Sequence, residues 1–403
     1  MKVFQKNRAV FLIPWLTDFA GFLVIFAVGR DLAETNADLA RMGVVGACFP
    51  SALGMTSVCS GWLSDHLGRR PMILAGLVLL MACLYAAAGY HYIPAYVIGG
   101  IGLGMIYPPC VAWLTQGCAA SGARSAMSRM LILFCLSWNL GMLSGQVAGG
   151  WLFEMDTLYP LLTGACLAAA AMIVAVLSPP TAAAAMHDEG HSAKNDLAHR
   201  AQAASFARLS RVANLGGAFA MSTIIFLFPH TAVDVGIDSG IHGVLLGATR
   251  VVIVLVYLLM HFTSFWHFNL VTAMTSQSLA FLGMLLLAFA GNVWWIAVAL
   301  VAAAQVQGYN YFSGLYYSTA GSSDERRGAS SGLHEATISA GIAVGALAGG
   351  ILGAHWHPRA PYFLGAVVIV VLMIIQVVVR KKAGMMLVRQ TSGTGPRPPL
   401  LSP

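Results

Sequence analysis

Four ionisable side chains stand inside long apolar runs of this chain: Asp18 in WLTDFAGF, Arg250 in LGATRVVIVL, and the neighbours His334 and Glu335 in SGLHEATI. A lone charge in hydrocarbon costs about 3 kcal/mol or more, so it is retained for a function or held by a partner. Carboxyls in such surroundings can take up and release protons, and a nearby arginine changes how tightly they hold them. Asp18 and Glu335, with His334 beside the latter, are therefore candidates for proton coupling. Arg250 either joins that chemistry or neutralises one of the two acids. A second set is aromatic and amide-bearing. QVQGYNYFSGLYYS carries Gln307, Tyr309, Asn310 and Tyr311; Tyr107 precedes Pro108-Pro109; Trp138 and Asn139 are adjacent. These residues read as the wall of an amphipathic cavity, with helix-to-helix hydrogen bonding as the alternative for any one of them.

The elements that position these side chains follow from composition. Of 403 residues 58% are hydrophobic and only 9% charged, too few to coat a soluble protein of this size. The apolar material comes in segments of about 20 residues, the length a helix needs to cross roughly 30 Å of hydrocarbon. The alternation of membrane strands is absent. The expected fold class is an all-α polytopic membrane protein with twelve transmembrane helices, at 9–29, 42–63, 71–90, 93–117, 130–152, 157–177, 212–234, 240–262, 268–290, 293–319, 330–353 and 361–380. The first run is long enough to span, and no small-residue cleavage site follows it. With the N-terminus inside, the lysines and arginines outside the spans fall on one face, save Arg30, Arg41 and Arg359. That asymmetry puts both termini in the cytoplasm and the chain in a plasma or inner membrane. The net charge of +7 is thereby topological and calls for no nucleic acid.

The domain reading is a six-helix bundle over 1–178, a cytoplasmic linker over 179–211, a second bundle over 212–382 and a disordered tail over 383–403. In the linker His187, Asp188, His191 and His199 could meet a metal, but nothing fixes their geometry and the stretch reads as a solvated loop. The seven cysteines lie in or beside spans without metal-ligand spacing. No cofactor is expected, since there is no phosphate-binding glycine loop, and no residue cluster resembles a catalytic set.

The two halves carry one pattern. Gly141, Gly145, Gly149 and Gly150 stand as G-x-x-x-G-x-x-A-G-G, and Gly341, Gly345, Gly349 and Gly350 repeat it 200 residues later. Such spacing permits close helix packing, and its recurrence at a fixed offset points to two parallel repeats. The same offset carries GWLSDHLGRR, residues 61–70, onto HFTSFWHFNL, residues 261–270, where the charges are gone.

GWLSDHLGRR, in the loop between the second and third spans, resembles the G-x-x-x-D-R/K-x-G-R-R/K loop of the major facilitator superfamily. Gly61, Asp65, Gly68, Arg69 and Arg70 match it, and His66 departs from it. The efflux branch of that superfamily carries G-P-x-x-G-G in helix 5, where this chain has Gln146 in place of the proline. The resemblance implies a monomeric secondary transporter working by alternating access. Gly61 would let helices approach closely. Asp65 would sit at the positive end of helix 11, a gain of about 0.3–1 kcal/mol, with Arg69 and Arg70 pairing to it or to lipid phosphate. The blander alternative is a topogenic arginine pair with a turn glycine. The expected substrate is a small amphipathic organic molecule, since aromatic walls favour flat or cationic solutes by about 0.5–2 kcal/mol per contact. Proton-coupled efflux is the expected mode. Uptake of a polar nutrient such as a sugar, and a non-transporting sensor, are the alternatives.

Overall fold

A computed structural model describes residues 11–115, 124–178, 193–320 and 327–392. Their regular elements are helices: α1 (Leu12–Glu34), α2 (Leu39–Leu67), α3 (Arg69–Ala88), α4 (Tyr92–Thr115), α5 (Arg124–Met155), α6 (Tyr159–Leu177), α7 (Ala193–Asp234), α8 (Ser239–Phe262), α9 (Leu270–Phe289), α10 (Val293–Ala320), α11 (Arg327–His355) and α12 (Ala360–Ser392). Eleven are long and apolar enough to cross a membrane, α10 being the exception. Large apolar side chains cover the outside, with Met55 76%, Leu177 77% and Phe289 75% exposed. Hydrocarbon, not water, is the solvent such a surface suits.

Two boundaries differ from expectation. Residues 193–211, expected as linker, form the first part of α7. They are rich in alanine, the best helix former, and Ala203, Ala207 and Leu209 give them a buried face. Likewise α12 runs on to Ser392, so the start of the expected tail is helical. His187, Asp188 and His191 lie outside the described residues. Among the described residues no group of His, Cys, Asp and Glu is placed to hold a metal.

Helix packing repeats with a shift of six helices. α1 packs on α5 and α6, α4 on α2 and α3, and α3 on α6; α7 packs on α11 and α12, α10 on α8 and α9, and α9 on α12. The repeat holds at single residues. Asp38 accepts a hydrogen bond from Arg41 N at 2.6 Å and so caps α2, while Asp238 accepts from Ile241 N at 2.7 Å and caps α8. The preceding turns place Asn36 and Gly236 in the left-handed region, at φ 56° and 76°. A β-carbon added at Gly141 would lie 2.4 Å from Trp15 O of α1, and one at Gly341 2.6 Å from Leu215 O of α7. Gly145 and Gly345 meet Phe19 O and Phe219 O in the same way, and Gly149 and Gly349 meet Phe26 and Leu227.

The halves meet along α2–α11 and α5–α8, with α1 against α7. We call distal the face with the α1–α2 and α7–α8 loops, and proximal the face with the α2–α3 and α8–α9 loops. Contact between halves is tightest near the distal face. There a β-carbon at Gly43 would fall 2.5 Å from Ala346 O, and one at Gly243 2.5 Å from Gln146 O; Gly350 and Gly150 complete the two crossings. Arg30, 6% exposed, bonds to Glu34 at 2.6 Å and donates to Ile237 O of the other half at 2.9 Å. His242, fully buried, lies between the rings of Phe26 (4.8 Å) and Phe228 (5.3 Å). Bare backbone and one buried cation close this end.

Candidate functional site

The buried charges lie between the halves. Asp18 on α1 is fully buried; its Oδ1 accepts a short hydrogen bond from Tyr107 OH on α4, and its Oδ2 has no partner. On the other half Glu335 of α11, partly buried, accepts from Tyr311 OH of α10 at 3.0 Å. Each half thus contributes one carboxyl held by one tyrosine. Arg250, 1% exposed in α8, lies within electrostatic reach of Asp18. No carboxylate among the described residues is within salt-bridge distance of it. Its guanidinium carbon is 5.2 Å from the centroid of the Phe22 ring on α1.

Aromatic rings connect these groups. Tyr311 lies 5.3 Å from Trp138 on α5 and 6.1 Å from Tyr257 on α8. Tyr257 in turn lies within hydrogen-bonding reach of Asn139 and within electrostatic reach of Arg250 and Glu335. Buried polar atoms without partners gather here: Trp138 Nε1, Asn139 Oδ1, Tyr257 OH, Arg250 Nε and, one turn from Tyr311 on α10, Gln307 Oε1. Leaving such atoms unsatisfied is costly, and a site built for a polar ligand is one place where that cost is met. Asp18, Tyr107, Trp138, Asn139, Arg250, Gln307, Tyr311 and Glu335 therefore belong to one region spanning both halves.

Three expected members are placed elsewhere. Tyr309 packs near the proximal face in a cluster with Ala207, Met260, Trp266 and Tyr317. Asn310 donates to Ala213 O at 2.9 Å while its own carbonyl accepts from Asn214 at 2.9 Å, so it stitches α10 to α7. His334 points from Glu335 into the seam with α7 and α10, beside Asn214 and Gly314, while its ring stays 5.3 Å from that of Tyr311; neither ring nitrogen is hydrogen-bonded. The cause is the helical period. α10 presents Gln305 to Ser276 of α9 (2.7 Å), Asn310 to α7, and Tyr311 to Trp138 of α5. A helix this polar serves three contacts, one on each of its faces.

Three residues of consequence escape a reading of spans. Tyr257 stands two turns after Arg250 on the same face of α8. His242 is at the equivalent of Met42, and Arg30, read as an outer charge, is inside the distal contact. The 200-residue offset would have flagged His242, as a polar residue opposite a buried methionine.

The matching loop is partly described. Gly68 ends α2 and begins α3 at φ 91°, a conformation that favours glycine. Among the described residues a β-carbon at Gly61 would meet Pro108 Cβ, at an ordinary 3.8 Å. The Asp65 side chain lies outside the described residues, so its contact with α11 is not on view. Arg69 and Arg70 are partly exposed.

A profile of the Major Facilitator Superfamily matches residues 10–321. Multidrug resistance protein MdtH of Aeromonas salmonicida is 31% identical over 128 residues, 30% of this chain and 31% of that protein. Quinolone resistance protein NorA of Staphylococcus aureus is 24% identical over 185 residues, 42% of this chain and 45% of that protein. The chain thus matches less than half the length of these curated relatives. Among solved structures, a D-xylose-proton symporter superposes with a TM-score of 0.67 at 14% identity, over 93% of this chain and 97% of that one. At that identity the likeness speaks for the fold alone. The chain belongs to the major facilitator superfamily, a family of transporters, and is a multi-pass membrane protein.

Proposed function

We propose that this transporter exports a small amphipathic organic solute by proton-coupled alternating access. The observation that carries the reading is the buried Asp18–Tyr107 pair facing an unpaired Arg250, with the Glu335–Tyr311 pair on the opposite half. A carboxyl that alternates between a proton and the pull of Arg250 can tie proton movement to a change in how the halves meet. Residues 1–178 and 212–382 act as the two rocking bundles of a monomer in a plasma or inner membrane, with both termini in the cytoplasm. The proximal loop, with Gly61, Asp65, Gly68, Arg69 and Arg70, latches the cytoplasmic side when the distal contact opens. Purified protein in proteoliposomes, given an imposed pH gradient, should drive flux of an amphipathic aromatic solute. A chain that moves no solute under the gradient, or moves it equally without one, overturns the reading.

A second reading, proton-coupled uptake of a polar nutrient, draws support from the unpaired amide oxygens of Asn139 and Gln307 and from the fold shared with a D-xylose-proton symporter. Sugar flux in the same vesicles, with aromatic solutes inert, would favour it.

A further inference from the structure

Arg250 is the charged member of the central region that no acceptor among the described residues satisfies. A guanidinium offers five N–H donors in a fixed fork, always charged. Here it is 1% exposed, its Nε has no acceptor, and none of its nitrogens makes a hydrogen bond among the described residues. Asp18 supplies the neighbouring countercharge but gives Oδ1 to Tyr107 and forms no ion pair with the arginine. The Phe22 ring attracts the cation at 5.2 Å but brings no negative charge. The site therefore holds a desolvated cation whose donors point at no protein acceptor. Two further donors lie nearby, each beside a weak or amide acceptor of its own, Asn139 for Tyr257 and Cys135 for Trp138. Tyr257 OH is on the same face of α8, and Trp138 Nε1 is reached through the ring of Tyr311. A buried guanidinium with no paired acceptor calls for a ligand that brings acceptors and negative charge.

We infer that Arg250 is the anion-binding group of the substrate subsite, with Tyr257 and Trp138 as auxiliary donors, and that the preferred substrate is an aromatic monocarboxylate. One fork matches one carboxylate, whereas a polyanion would need several. The rings of Trp138 and Tyr311 suit the flat body behind that head group. The inference rests on the transporter reading and replaces the cationic preference that aromatic walls alone would give.

Three compounds that differ only in head group test it: 3-phenylpropionate, its primary amide, and 3-phenylpropylamine, titrated against the purified full-length chain by calorimetry. The acid is expected to bind at least about tenfold tighter than the amide, with the amine weakest. In Arg250→Met the acid should fall to the level of the amide while the amide is unchanged. Arg250→Lys, which keeps charge but loses the fork, should fall between. An amine or amide that binds as tightly as the acid, an unchanged ranking in Arg250→Met, or no binding of the acid to the wild type overturns the inference. If the arginine variants do not fold, the wild-type ranking alone decides. pH-driven flux is scored separately. Transport of the amide or amine without preference for the acid keeps the transporter reading and sinks this one; tight binding of the acid without flux does the reverse.

Discussion

Gly68 and Phe268 occupy the same turn in the two halves, and both have positive φ, 91° and 54°. Around Gly68 the α2–α3 connection is polar and open: Trp62 is 66% exposed, His66 lies on it at 4.4 Å, and Arg69 and Arg70 follow. Around Phe268 the α8–α9 connection is a packed aromatic block. Trp266, 1% exposed, donates to Met260 O at 2.8 Å and Thr263 O at 3.0 Å; Tyr317 OH accepts from Phe268 N at 2.7 Å; Phe206 of the α7 extension lies 5.4 Å from the Phe268 ring. A phenylalanine in that conformation costs about 1–3 kcal/mol and persists where its surroundings over-determine it. The backbone is shared, and the chemistry laid on it is not. The second half ties its proximal end to itself, while the first half carries Arg69 and Arg70 at the same turn. The same division runs through the middle of the membrane, where Asp18 and Arg250 stand opposite Ala218 and Pro50 in the repeat.

The largest expected effect tests that division directly. Ala218 shows that the scaffold needs no acid at the Asp18 position. Asp18→Asn should leave the fold intact yet strip Arg250 of its neighbouring countercharge, a cost of about 3 kcal/mol or two orders of magnitude in an equilibrium. pH-driven flux should fall by that order, and Glu335→Gln, at a partly exposed carboxyl, should cost less. Full coupling in the Asp18→Asn, Glu335→Gln double variant would rule out both carboxyls as the proton site.

In folding stability, as distinct from flux, the largest effect belongs to the aromatic block. Trp266→Ala should destabilise the chain by about 3–5 kcal/mol, seen as a lower thermal unfolding midpoint in detergent. His66→Ala, at the equivalent exposed position, should stay within about 0.5 kcal/mol. Equal losses at the two sites would remove the contrast between a packed turn and an open one.

The distal contact comes third. Gly43→Val forces a side chain against Ala346 O and Gly350, and overpacking of this kind costs about 1–3 kcal/mol. Because the strain exists only while the distal face is closed, the population should move toward the distal-open form by roughly tenfold or more. Labelling of a cysteine placed beside Ile237 should accelerate. Unchanged labelling would mean that α2 and α11 part little during the cycle.

What was legible in the sequence follows from these contrasts. Twelve helices could be read because apolar length is a local signal, and the repeat because glycines recur at one offset. Asp18, Arg250 and Glu335 announced themselves by charge in apolar runs. The faces of α10 could not be read, since Gln305, Asn310 and Tyr311 look alike until the neighbours α9, α7 and α5 are known. Nor could the role of Arg30, whose partner Ile237 stands 207 residues away and offers only a backbone carbonyl. The α7 extension was missed because its alanines carry little hydropathy, although they favour a helix.

The smallest expected effect separates the two glycines of the matching loop. Gly68→Ala should cost about 1 kcal/mol, since an added β-carbon is strained at φ 91° whatever the space around it. Gly61 is helical and among the described residues has Pro108 at an ordinary distance, so Gly61→Ala should be neutral or stabilise by about 0.5–1 kcal/mol in the conformation described. If the loop serves as a latch, the two variants should part company in function. Gly61→Ala would then slow flux while unfolding at the same or a higher temperature, because the close approach that needs a glycine occurs when the proximal face shuts against α11. A Gly61→Ala protein that is as stable and as fast as the wild type would leave Gly61 without a role in gating and reduce the loop to its turn and its arginines.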